Sequence, residues 1–67
     1  MTTIRYPHIA VQLTGTDGNA FAIIGTVQKA LRRNGVPEGE VNAFAEEAMS
    51  GDYDNLLVTC TQWVEVS

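Results

Sequence analysis

The sequence predicts a small α+β domain in strand, helix, helix, helix, strand order, with its terminal strands paired in a small sheet and a helical hairpin packed on one face. Three observations carry this reading. HIAVQLT alternates apolar and polar residues with the period of two that a half-buried strand requires. AFAIIGTVQKALRRNG and PEGEVNAFAEEAM repeat apolar residues at helical spacing, and each ends in its own stop signal. VTCTQWVEV, at the other end, is rich in β-branched residues and alternates again.

In the first strand Ile9, Val11 and Leu13 form the inward face and His8, Ala10 and Gln12 the outward one, while Met1 to Tyr6 are expected to fray. GTDGN is a dense turn signal. Asp17 or Asn19 can accept hydrogen bonds from the free N–H groups of a helix starting near Ala20. That helix presents Phe21, Ile24, Val27 or Gln28, and Leu31, with Ile23 and Ala30 widening the stripe. Gly25 weakens a helix unless its missing side chain admits another backbone, and close packing is the expected explanation. Lys29, Arg32 and Arg33 suit the negative end of the helix dipole, and Asn34 and Gly35 stop the helix.

Pro37 sits at or just before the first turn of the second helix, where Glu38 and Glu40 meet the positive dipole end. Val41, Phe44, Ala45, Ala48 and Met49 form its apolar face, Glu46 and Glu47 its wet one, and Ser50 and Gly51 end it. So short a connection favours an antiparallel hairpin, in which basic residues of the first helix face acids of the second and tune register. Asp52 then caps a short helix from about Tyr53 to Gln62, followed by a strand through Trp63 to Val66; a strand starting near Leu57 is the alternative. Trp63 is expected as a core anchor with its N–H satisfied at the rim.

Sixty-seven residues make one domain, close to the size at which a single core barely outweighs chain entropy. One cysteine, Cys60, makes no internal disulfide, and no Cys/His cluster has zinc spacing, so self-association is the expected aid and a reducing cytoplasm the expected setting. MTTIRYPHIAVQL reads as neither a signal nor a transit peptide, and no apolar run approaches a membrane span. Four basic against eight acidic residues give a formal charge of −4, which argues against binding a phosphate backbone.

The candidate ligand-binding residues are Gly15, Thr16, Gly18 and Asn19 in the glycine turn, with Lys29, Arg32 and Arg33. Backbone N–H groups at a helix start can hold a phosphate, but the turn lacks a neighbouring lysine and any Walker or G-x-G-x-x-G spacing, and Asp17 would repel an anion. A capped corner is the favoured reading. Lys29, Arg32 and Arg33 can touch a phosphate or an acidic partner, against the simpler reading of a solvated helix end. Cys60 and His8 are the only nucleophile and base of a thiol mechanism, and a lone buried cysteine is more often a small core hydrophobe. Asp52, Asp54 and Asn55 have some calcium-loop character but lack the remaining ligands, so no metal or other cofactor is expected.

The segments AFAIIGTVQKALRRNGV, SGDYDNLL and WVEV, in that order and spacing, resemble a family of small uncharacterised proteins of bacteriophages, prophages and bacteria. The resemblance spans roughly Ile9 to Val66. It implies a phage or phage-derived origin, hence a bacterial host cytoplasm, and the same element order, but no activity. The leading functional expectation is a non-catalytic binding or regulatory module that docks on a host or phage protein, as a homodimer or larger assembly. The alternative is an oligomeric sequesterer of a small nucleotide-like anion, using Arg5, Lys29, Arg32, Arg33 and the Gly15 to Asn19 turn. An enzyme is the third class, and the sequence offers it no assembled machinery.

Overall fold

The computed structural model of the chain describes residues 4–13 and 18–67. The order is β1 (Tyr6–Val11), α1 (Ala20–Arg33), α2 (Glu38–Ala48), α3 (Tyr53–Trp63) and β2 (Val64–Val66), as the sequence predicts. β1 and β2 pair in parallel, with Ala10 opposite Glu65 and Val11 opposite Val66 and an irregularity between Tyr6 and Ala10. Parallel pairing demands a long crossover, and the three helices supply it while covering the sheet.

The local signals act where they stand. The Asn19 side chain accepts from the Phe21 N–H at 2.8 Å, and that of Asp52 from the Asn55 N–H at 2.9 Å, so each caps its helix. Gly35 takes φ of 79°, the left-handed conformation that ends α1, and Pro37 caps α2. Arg32 and Glu38 close the α1–α2 turn with an ion pair of 2.8 Å. The ambiguous tail is helical as far as Trp63, one residue beyond the expected boundary, and Val64 turns directly into the strand. Helix prevails over β-propensity here because Leu56, Cys60 and Trp63 bring one apolar face to the core while Thr59 returns its hydroxyl to the Asn55 carbonyl at 2.7 Å.

The core gathers Ile9 and Val11 of β1, the Ile23, Ile24, Val27 and Leu31 stripe of α1, and Val41 and Phe44 of α2. Val36, Ala45, Ala48, Leu56, Cys60, Trp63 and Val64 complete it. Trp63 is 2% exposed; its ring meets Phe44 edge-on at 5.6 Å and its Nε1–H donates to Glu47 Oε2 at 3.0 Å. Tyr6 packs on the same ring at 6.1 Å, so β1 is ordered from the residue at which fraying was expected to end.

Three expectations are corrected. Phe21 is 77% exposed and Met49 55%, although the sequence pattern places both on apolar faces. Each helical residue advances about 100° around the axis, which puts Phe21 at the margin of the stripe centred on Ile23, Ile24, Val27 and Leu31; Met49 is the C-cap, where α2 has ended. Gly25 is exposed, and a Cβ built there meets nothing within 4 Å, so close packing does not explain it.

Two outcomes follow from this packing. Gly25→Ala should stabilise the domain by about 1 kcal/mol, read as a higher urea midpoint at unchanged slope, because alanine is the better helix former and has room. Trp63→Ala should lose about 3–5 kcal/mol, enough to unfold so small a domain; an unchanged denaturation curve would contradict the burial described here.

Candidate functional site

Two concavities flank α1, one at each end. The first lies at its start. The Asn19 cap fixes the entry of the chain into α1, and the Tyr53 hydroxyl donates to the Gly18 carbonyl at 2.8 Å, tying that turn to the start of α3. Between them opens a groove of about 420 Å³. Buried Ile24, Ala48 and Leu56 form its floor, and exposed Phe21, Met49 and Tyr53 stand around its rim. Two large apolar side chains, Phe21 and Met49, thus stand exposed beside an apolar hollow.

The second concavity, about 330 Å³, lies between the last turns of α1 and the end of β1. Thr26, Lys29 and Arg33 recur at three- and four-residue spacing, so one stripe of α1 faces Ala10 and Gln12. The four basic residues of the chain are divided here. Arg5 lies 4.5 Å from the centre of the Trp63 ring and 3.4 Å from Glu40. Arg32 grips Glu38 through Nε and Nη2, and this hydrogen bonding holds the Glu38 carboxyl below its ordinary range. Lys29 and Arg33 form no ion pair among the described residues, and both line the recess.

The candidate residues taken from the sequence are therefore separated. Gly18 and Asn19 stand at one end of α1 and Lys29, Arg32 and Arg33 at the other, ten residues and about 15 Å of helix from Asn19 to Lys29. Within one copy they form no single pocket, and Arg32 is engaged with Glu38. Gly15 and Thr16 lie outside the described residues. Phe21 and Met49 were missed because apolar periodicity counts them as core; the available signal was their angular distance from the centre of each stripe.

Cys60 is fully buried on α3, and burial pushes its thiol up to about 11; His8 lies exposed on β1. Asp52 is occupied as a cap, while the Asn55 amide donates to the Glu47 carbonyl at 3.0 Å. Among the described residues no three His, Cys, Asp or Glu side chains converge as a metal site, and no helix is long and apolar enough to cross a membrane. A scan against protein-family models finds no match, and searches of curated proteins and of solved structures find no similar protein.

The buried thiol has a pH signature. Raised above its ordinary value, Cys60 favours the fold while it is neutral; that contribution is complete below about pH 9 and is lost as pH rises through about 11. Alkaline loss of melting temperature should be steeper in the natural protein than in Cys60→Ala. A maleimide should label Cys60 slowly at pH 8 and rapidly in urea, and fast native labelling would contradict its burial.

Proposed function

We propose that this protein is a non-catalytic binding or regulatory module that acts by docking on another protein, in the phage setting a host or phage protein, and that it works as a homo-oligomer in the bacterial cytoplasm. The observation that carries this reading is the groove rimmed by Phe21, Met49 and Tyr53. A chain this small has few apolar side chains for its core, and leaving Phe21 and Met49 outside is explained by contact with a second surface. The buried, weakly acidic thiol and the separation of the candidate residues support a role without catalysis. Mostly apolar helix surface around the groove suits a partner's apolar side chain as an anchor.

A second reading, the oligomeric sequesterer of a small nucleotide-like anion, is favoured by Lys29 and Arg33, which share a recess and form no ion pair among the described residues. A tight anionic ligand would raise the melting temperature by mass action.

The paired substitution Phe21→Ser with Met49→Ser tests the leading reading. Both positions are exposed, so the fold, read as an unchanged far-UV circular dichroism spectrum, should hold while self-association in sedimentation velocity, and retention of any captured partner, fall by roughly tenfold or more. Association that survives the pair unchanged would move the interface away from the groove.

A further inference from the structure

We infer that the open edge of β1 at Ala10 and Gln12, together with Lys29 and Arg33, is a strand-addition site for an extended acidic segment of another protein; this deepens the docking reading above and rests on it. The backbone supplies the first half of the argument. The Ser67 N–H donates to the Val11 carbonyl at 3.0 Å and the Leu13 N–H to the Ser67 carbonyl at 3.2 Å, so the main chain of Val11 and Leu13 faces β2. Alternation along an extended chain turns the N–H and C=O of Ala10 and Gln12 the opposite way. Among the described residues β1 has β2 as its one strand neighbour, and the Gln12 main chain forms no hydrogen bond. Free edges of this kind accept another chain unless they are blocked. Pro7, which has no N–H, blunts the other half of the strand, where the register is irregular; Ala10 to Gln12 carries no such block.

Charge supplies the second half and selects the occupant. Lys29 and Arg33, the two cations without an ion pair among the described residues, line the same recess as Ala10 and Gln12. A strand laid along this edge sends alternate side chains toward α1, where a carboxylate meets both cations while main-chain bonds set the register. A second copy paired edge to edge through β1 would instead bring two such cation pairs together, and their mutual repulsion disfavours it.

The test uses the full chain, ¹⁵N-labelled, titrated with a capped seven-residue peptide alternating glutamate and valine and with a lysine/valine control. The acidic peptide should slow amide exchange at Ala10 and Gln12 and bind more weakly as salt rises, while the control should not bind. Lys29→Ala with Arg33→Ala, both exposed, should weaken binding by roughly tenfold or more. Gln12→Pro, which removes one outward N–H at a strand edge, should weaken it at an unchanged melting temperature. Inorganic phosphate shifting the resonances of Lys29 and Arg33, without peptide protection of Ala10 and Gln12, would overturn the inference in favour of a small-anion site. Protection that grows with protein concentration alone would overturn it in favour of a second copy. Peptide binding untouched by Phe21→Ser with Met49→Ser keeps the two surfaces separate: capture of a partner that depends on that pair but not on Lys29 and Arg33 would overturn this inference and leave the docking reading standing.

Discussion

The hydrogen bond from the Trp63 indole to Glu47, together with the contact of its ring with Phe44, is the constraint on which the remaining architecture depends. Trp63 ends α3 and adjoins β2, Phe44 and Glu47 belong to α2, and Tyr6, the first residue of β1, and Arg5 just before it flank the same ring. One side chain therefore fixes the relative positions of four of the five elements. Its large apolar area provides the drive, and its single polar group specifies the orientation, because an indole N–H buried without an acceptor would destabilise the fold. Glu47, an exposed residue on a wet helix face, acquires a structural role through this bond.

With the core fixed from that side, α1 is left to present different chemistry at its two ends. Its buried stripe binds it to the sheet and to the other helices. The start of the helix contributes an apolar hollow with Phe21 at its margin, and the last turns contribute cations beside an open strand edge. On a chain of net charge −4, a local concentration of positive charge is conspicuous, since Arg5 and Arg32 are both committed to glutamates. Anchoring by an apolar side chain and guidance by charge are complementary tasks, the first governing how long a complex lasts and the second how quickly it forms.

The order of elements was legible because each boundary has a local cause. Asn19, Gly35, Pro37 and Asp52 act within a turn of the positions they define, so neighbouring residues suffice to read them. The parallel pairing of β1 with β2 depends on contacts more than fifty residues apart, which no local pattern encodes. Gly25 misled for a related reason: a glycine inside a helix signals either a close neighbour or open water, and only the tertiary arrangement distinguishes them. Phe21 and Met49 show the same limit, because periodicity identifies an apolar stripe but not how far the adjoining elements extend across it. The candidate site was less legible still. Lys29, Arg32 and Arg33 lie within five positions of one another, yet Glu38 claims one of them and the recess receives the other two.

The junction between α3 and β2 has a mechanical consequence. Trp63 is the last residue of the helix and Val64 the first of the strand, with no loop to absorb movement between them. Unwinding the final turn of α3 would drag the strand out of register with β1, and peeling the strand away would pull the indole from its cage. Helix end and strand are consequently coupled without slack, and a pull on the sheet through β2 is carried directly to the indole in the core.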